Sequence, residues 1–477
     1  MTKSKDPTEL VHWADNVVRR VISAKGDKPK YTVAAGITPS GTIHIGNFRE
    51  IITVELVARA FKDAGKNVRF IYSWDDYDVF RKVPKNMPQK DMLEKYLRMP
   101  IVDIPDPFET EESYARHHEV ELEISLSVVG IVPEYLYQSK KYRDLEYVKG
   151  IKNALEKKDK IREILDEHRK EPLSESWLPL SGYDPDTNTD DITFLGYDGE
   201  DILEIKTANQ DSERIDINKL PFLKLPWRID WPMRWAHEKV DFEPGGKDHS
   251  TIGGSFTTAK EIVKLFGWEA PVYQMYDFIS IKGTDGKISS SKGDVITLKD
   301  CLDIYEPAMV RWLFARTRPN TEFAISFDLD VVKNYEDFDR CERIYYRKQE
   351  VKEKEYVKQK RIYELSCISK PQTNMPFQPS FRHLTTILLI NSFDIEKTVK
   401  TYENEFRDDA DRQRVRERAL RAKNWIEKYA PEEFSFSIND EIPANLVIEE
   451  EMKEAILELR ESLRDEKWDA LGLHNNF

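Results

Sequence analysis

The stretch from Tyr31 to Tyr72 constrains this chain more than any other. Tyr31-Thr-Val-Ala-Ala35 is a short apolar run with strand character, followed by the turn-rich loop Gly36-Ile-Thr-Pro-Ser-Gly-Thr42. From His44 the spacing predicts a helix, with Ile45, Phe48, Ile51, Ile52, Leu56, Val57 and Ala60 on one side and Gly65 as its C-terminal cap. Val68-Arg-Phe-Ile-Tyr72 reads as a second strand. Two strands joined through a helix lie parallel and connect right-handedly, so the fold class is α/β with a parallel sheet. Upstream, Asp6-Pro7 opens another helix, with a cap residue followed by proline at the first helical position.

Residues 83–220 break the rhythm. They are rich in Pro, Asp, Lys and Glu and mix helices with a β-rich stretch near 177–210, which reads as an insertion. The α/β pattern resumes around Trp227, with a helix expected over 257–266, Gly267 as its cap and a strand over 272–279. Beyond about 332 the pattern is helical and charge-dense, over 331–356, 381–400, 409–429 and 449–463, and it implies a separate all-α domain. The expected organisation is a catalytic domain over 1–82 and 221–285, a connective insertion over 83–220, a loop-and-contact region over 286–345 and an α-helical C-terminal domain over 346–477.

With 40% hydrophobic and 11% aromatic residues the chain has material for a buried core, which disordered chains lack. A net charge of −14 argues against nucleic acid as the sole partner, although a local basic stripe can coexist with it. Cys301, Cys341 and Cys367 form no C-x-x-C pair, so neither a disulfide framework nor a thiolate zinc site is indicated. The first seven residues carry charge without an apolar segment behind it, and no apolar run is long enough to span a bilayer. The expectation is a cytoplasmic protein with no membrane partner.

Two loops carry the chemistry. Pro39-Ser-Gly-Thr-Ile-His-Ile-Gly-Asn47 follows a strand and opens a helix, where backbone N–H groups and the helix dipole favour phosphate. Gly41 and Gly46 would let a nucleotide approach the backbone, and His44 and Asn47, three apart, would share one side of the first turn. Thr42 stands where a Walker loop needs lysine, and G-x-G-x-x-G is absent. The plainer alternative is a polar helix start with a satisfied histidine. The second loop, Lys287-Ile-Ser-Ser-Ser-Lys-Gly293, sets two lysines and three hydroxyls between glycines, suited to closing over a triphosphate. Alone, it is equally a solvated surface loop.

Together, and in this order, they resemble a known pair. His44-Ile45-Gly46-Asn47 resembles the HIGH motif of class I aminoacyl-tRNA synthetases, and Lys287-Ile288-Ser289-Ser290-Ser291 resembles their KMSKS loop. The resemblance implies a Rossmann-type catalytic domain that joins an amino acid to ATP and then to the 3′ end of tRNA. It implies ATP contacts from Pro39, Gly41, His44, Gly46, Asn47, Lys287, Ser289 and Ser290, with His44, Asn47, Lys287 and Lys292 as the catalytic set and Mg²⁺ arriving with ATP. Asn47 departs from the second histidine of HIGH, and Ser290 from the second lysine of KMSKS, for which Lys292 is a substitute two residues on.

Further anchors resemble the class I lysyl-tRNA synthetases: Ala35-Gly-Ile-Thr-Pro-Ser-Gly41, Ser73-Trp-Asp-Asp-Tyr-Asp78, Phe80-Arg-Lys-Val-Pro84, Asp103-Ile-Pro-Asp-Pro-Phe108, Trp227-Arg-Ile-Asp-Trp-Pro-Met-Arg-Trp235 and Glu243-Pro-Gly-Gly-Lys-Asp-His249. Glutamyl-tRNA synthetases carry an arginine just upstream of their HIGH loop to hold the substrate carboxylate; here that segment, Val33-Ala-Ala-Gly-Ile37, has no cation. Asp75, Asp76, Trp231 and Tyr276 suit an ammonium substrate better. The resemblance implies a lysine pocket of Gly36, Thr38, His249 and Tyr276, to which Asp75 and Trp231 are added on chemical grounds; tRNA(Lys), lysine and ATP are the expected partners, of a monomer. A catalytically weakened paralogue that only binds tRNA or nucleotide, and a glutamyl-type enzyme, are the rival readings.

The zinc-binding cysteines common in that family are absent from Phe108-Glu-Thr-Glu-Glu-Ser-Tyr114 and Trp177-Leu-Pro-Leu180, so zinc is not expected. His117, His118 and His168 read as exposed, with apolar packing in place of the metal. The segment ending at Gly472-Leu-His-Asn-Asn-Phe477 reads as a shortened anticodon-binding domain. The basic runs 343–360 and 412–428 read as tRNA-backbone contacts or as solvated helix faces.

Overall fold

A computed structural model describes residues 12–209, 212–250, 253–282, 295–434, 436, 446–462 and 464. At its centre is a five-stranded sheet in which every pairing is parallel. Its strands are β1 (Tyr31–Ile37), β2 (Val68–Trp74), β3 (Glu134–Tyr137), β4 (Phe242–Gly246) and β5 (Val272–Tyr276), in the order β5-β4-β1-β2-β3. The βαβ expectation for residues 31–72 is met, with Tyr31 opposite Val68 and Ile37 opposite Trp74.

The connecting helix α2 (Ile45–Asp63) buries Ile45, Phe48, Ile51, Ile52, Val54, Leu56, Val57 and Ala58, more than one helix face can supply. A helix apolar all round is sandwiched. Here the sheet lies on one side, and on the other lies the helix Pro307–Ala315, whose Phe314 meets Phe48 edge-on at 5.1 Å. Helix α1 (Trp13–Lys25) packs on α2 and is closed by Gly26 at φ 74°, a backbone region that favours glycine.

Strand β3 lies within the stretch the sequence assigned to the insertion, yet it pairs with β2 as an edge strand of the central sheet. Helix α3 (Tyr114–Val128) sends Leu122 and Leu126 into the central core. Period-2 alternation over four residues is too short to distinguish such a strand in sequence. The expected β-rich stretch is a separate antiparallel sheet of Thr193–Tyr197, Ile202–Lys206 and Ser212–Asp216.

Three boundaries differ from expectation for local reasons. The strand expected over 272–279 ends at Tyr276, and Ile279–Ile281 leaves the sheet to pair with Phe323–Ile325. The helix expected over 331–356 is two, Asp330–Tyr345 and Glu353–Ser366, because Arg347 takes φ 57° and turns the chain back. The helix expected over 381–400 breaks at Ser392 and Phe393, both at positive φ, after which Asp394 caps a new helix by accepting from Lys397 N at 3.0 Å. Among the described residues, no helix is long and apolar enough to cross a membrane.

Candidate active site

Strand order reverses at β1, which has β2 on one side and β4 on the other. Ligands of open parallel sheets bind outside the strand C-termini at such a point. A cavity of about 430 Å³ opens there, lined by Gly36, Ser73, Asp75, Glu243, Gly245 and Tyr276 from the strand ends. Helix α2 adds Asn47 and Glu50, and helix α4 (Trp227–Glu238) adds Trp227, Trp231 and Arg234. Thr38, Asp78 and His249 add to the wall.

Glu50 is the hub of the deep end. It accepts the backbone N–H of Gly36 at 3.1 Å and the phenol O–H of Tyr276 at 2.6 Å. Gly36 must be glycine, because a Cβ there would lie 2.9 Å from the Ser73 carbonyl oxygen on the paired strand. Burial pushes the Glu50 carboxyl up to about 8, against the Tyr276 hydrogen bond and with help from Glu243. Glu243 accepts the indole N–H of Trp231 at 3.1 Å and that of Trp235, and burial raises its carboxyl to about 7 despite both bonds.

Arg234 is the pocket's guanidinium and is already engaged. It donates to Asp75 at 2.6 Å and Ser73 Oγ at 2.8 Å, and pairs with Asp230 at 3.1 Å. Burial raises the Asp75 carboxyl even so, with Arg234 opposing the rise. Trp227 stacks on Trp231 at 5.1 Å, and Trp231 sits 5.8 Å from the His249 ring. His249 Nδ1 lies 3.0 Å from Ser255 Oγ at the start of the helix Ser255–Leu265. Thr38 donates to Asp78 at 2.9 Å, and Lys224 holds the other Asp78 oxygen at 2.6 Å.

Above the pocket lies the start of α2. The amide oxygen of Asn47 accepts the His44 backbone N–H at 3.1 Å, a reciprocal cap that fixes the first turn. A Cβ on Gly46 would come within 2.8 Å of the His44 ring, so any other residue there would push that ring aside. Ile45 N donates to Ile296 O at 2.8 Å, and His44 forms a bridge with Thr297. The chain just beyond 283–294 is therefore tied to the first motif. Lys287, Ser289, Ser290 and Lys292 lie outside the described residues.

A family described as tRNA synthetases class I (K) matches residues 11–369. The chain belongs to that family. The synthetase is 51% identical to the lysine–tRNA ligase of Borreliella burgdorferi over 96% of this chain and 87% of that one. It is 46% identical to the lysine–tRNA ligase of Treponema pallidum over 95% of this chain and 86% of that one. To that of Thermococcus kodakarensis it is 42% identical, over 98% of this chain and 90% of the other.

Six residues expected at the amino-acid pocket of the synthetase, Gly36, Thr38, Asp75, Trp231, His249 and Tyr276, line one cavity. Asp76 does not join them. It is buried and turned away, accepting from Ser139 N at 2.7 Å and from Ser139 Oγ. Of the expected nucleotide residues, Asn47 lines the cavity, while Pro39, Gly41, His44 and Gly46 sit on the loop and first turn beside it. Sequence reasoning missed Glu50, Glu243 and Arg234. Glu50 did leave a trace: it follows Phe48, precedes Ile51 and Ile52, and has no cation three or four residues away.

The insertion also differs from expectation. His118 is buried, not exposed, and burial holds its imidazole down at about 3. His117 stacks on Phe108 at 4.1 Å and meets Thr110 Oγ1 at 2.8 Å. Asp106 holds the loop by accepting from the backbone N–H groups of Phe108, Thr110 and Glu111 at 2.8–3.0 Å. A hydrogen-bonded carboxylate thus organises a turn for which the sequence suggested apolar packing. His117, His118 and Glu121 bring ligand atoms within 4.8 Å of one another.

Proposed function

We propose that this synthetase is a lysine–tRNA ligase, which activates lysine with ATP to lysyl-adenylate and esterifies the 3′ end of tRNA(Lys). The observation that carries the reading is the charge of the pocket. Glu50, Asp75, Asp78 and Glu243 line it against the single guanidinium of Arg234. Arg234 is spent on Asp75 and Asp230, and Lys224 on Asp78. Among the described residues no ion pair reaches Glu50 or Glu243, and both carboxyls are raised. A cationic side chain supplies the missing charge; a glutamate side chain would add a further anion where burial already disfavours the existing ones.

In this reading Glu50, held by Gly36 and Tyr276, takes the ε-ammonium of lysine, and Asp75 takes the α-ammonium. Trp231, His249 and Thr38 wall the aliphatic stem. The lysine carboxylate attacks the α-phosphorus of ATP, and pyrophosphate departs with the electron pair of the broken P–O bond. The loop before α2 and its first turn supply Pro39, Gly41, His44, Gly46 and Asn47 to the triphosphate, where the helix dipole favours negative charge. Lys287 and Lys292, with Ser289 and Ser290, neutralise the leaving group, and Mg²⁺ enters with the nucleotide. The helical C-terminal region reads the anticodon, and the enzyme works as a monomer in the cytoplasm.

Amino-acid-dependent ATP–pyrophosphate exchange tests this, offering lysine, glutamate, glutamine and arginine separately, with and without tRNA. Exchange is expected with lysine alone. Exchange with glutamate instead, or with none of the four even when tRNA is present, would overturn it.

A further inference from the structure

A chain of hydrogen bonds reaches the amino-acid pocket from outside it. Strand β3 ends at Tyr137, and the next residue, Gln138, opens the helix Gln138–Arg143. Leu136 of β3 lies opposite Ser73 of β2, which brings Gln138 beside the pocket strand. The Gln138 amide Nε2 donates to Ser73 Oγ at 2.6 Å, and its Oε1 accepts the phenol O–H of Tyr147 at 2.9 Å. Gln138 and Tyr147 are both buried, and neither lines the pocket.

The direction of this chain is set from both ends. Burial pushes the Tyr147 phenol up, so it keeps its proton, and among the described residues that proton has no acceptor besides Gln138 Oε1. A donor on Oε1 turns the amide nitrogen towards Ser73. At the other end Arg234, which can only donate, gives a hydrogen bond to the same Ser73 oxygen at 2.8 Å. A hydroxyl has two lone pairs and one proton. Gln138 and Arg234 take the lone pairs, and among the described residues the proton is left with one acceptor, Asp75 Oδ1 at 3.4 Å. Oδ1 also accepts from Arg234 at 2.6 Å, whereas Oδ2 receives no hydrogen bond from a described residue. As a strut the chain would be a poor choice, since buried polar groups are costly and well-packed apolar ones often serve as well. What it adds is orientation: one oxygen of a pocket carboxylate is saturated and the other is left bare.

We propose that Gln138 and Tyr147 are positioning residues for amino-acid binding, which commit the Ser73 hydroxyl to Oδ1 of Asp75 and so leave Oδ2 to accept the α-ammonium of lysine. The proposal rests on the ligase reading above. It gives the stretch around 134–147, which the sequence assigned to the insertion, a part in recognising the substrate's α-amino group.

The test measures dissociation constants for lysine and for 6-aminohexanoate, which keeps the ε-ammonium and carboxylate of lysine and lacks its α-ammonium. It uses the full chain, Gln138→Leu, Tyr147→Phe and the double variant. Gln138→Leu should weaken lysine by about tenfold, as expected for one hydrogen bond on a charged group, and leave 6-aminohexanoate unchanged. Tyr147→Phe deletes a single oxygen and should weaken lysine by about threefold, again without touching the analogue. The double variant should be no worse than Gln138→Leu alone, because Tyr147 acts through Gln138. The KM for ATP in pyrophosphate exchange should stay at its wild-type value in all three. A merely structural role would move both ligands and ATP together. Should Gln138→Leu fail to fold in a thermal scan, Tyr147→Phe carries the comparison by itself. Variants that lose 6-aminohexanoate as much as lysine, or that bind lysine like the wild type, would overturn the proposal. Wild-type chain that binds no lysine would instead sink the ligase reading on which it rests.

Discussion

In the C-terminal helices Arg418 is fully buried. It donates to Glu306 at 2.5 Å, to both oxygens of Asp339 at 2.8 and 2.9 Å and to the Pro379 carbonyl at 2.7 Å. Arg414 adds a bond to Glu342 at 2.8 Å and lies 3.5 Å from Glu306. Burial alone would raise the Glu306 carboxyl, but Arg418 and Arg414 more than offset it and hold it down at about 2. The amino-acid pocket uses the same residue types and ends in the opposite state. There the carboxylates outnumber the guanidinium, and Glu50 and Glu243 rise to about 8 and about 7. The difference separates two uses of buried charge. A cluster closed on itself holds helices in register, whereas one left short of a cation is suited to accept one from a ligand, as proposed for this pocket.

The largest effect should come from breaking the closed cluster. Arg418→Ala strands Glu306 and Asp339 in the interior and should cost about 3–5 kcal/mol, read as a lowered urea midpoint. Its counterpart in the pocket should behave the other way. Glu50→Gln should leave the urea midpoint unchanged or raised, because it removes an uncompensated buried carboxyl. It should also reduce kcat/KM for lysine by about 100-fold, equivalent to about 2.7 kcal/mol. If Glu50→Gln unfolded the protein as Arg418→Ala does, the contrast would fail.

A change in pH sharpens the same contrast with smaller steps. The folded-state value of Glu306, about 2, lies below its ordinary 4.5, so its contribution is present above pH 4.5 and is lost as pH falls through 2. That of Glu50, about 8, lies above 4.5, so its contribution is complete below pH 4.5 and is lost as pH rises through 8. With the lysine ε-ammonium on the Glu50 carboxylate, as proposed, lysine affinity should climb between pH 6 and 8, by up to about tenfold per unit. Calorimetry in buffers of different ionisation enthalpy should find a proton released on binding near pH 7, and none from Glu50→Gln. The smallest effect is expected at the surface. Arg416 pairs with Glu396 at 2.6 Å in solvent, and Arg416→Ala should shift neither the urea midpoint nor the lysine kinetics measurably.

Much of this architecture is legible in order along the chain. The strand, glycine-bearing loop and helix of 31–65 follow from apolar spacing and turn chemistry, which are local properties. Six pocket residues were reachable because they lie in short anchors whose residue types already suggest an ammonium site. Strand β3 was not legible, since four residues show no useful period, and the helix breaks at Arg347 and at Ser392-Phe393 use residues that do not ordinarily take positive φ. Asp75 and Asp76, neighbours with the same side chain, read alike; one lines the pocket beside Arg234 and the other is absorbed by Ser139.

What the sequence determined by itself was the βαβ unit of 31–72, the position of the glycine-bearing loop at the start of α2 and the kind of ligand charge the anchors favour. What only the tertiary structure decided was which charges meet. Glu50 lies 226 residues from Tyr276, and Arg418 lies 112 from Glu306. Electrostatic energy depends on separation and burial in space, and neither is encoded in the spacing of residues along a strand or helix. Which carboxylates are neutralised was therefore decided by packing, which closed one cluster on its own arginines and left the other a cation short.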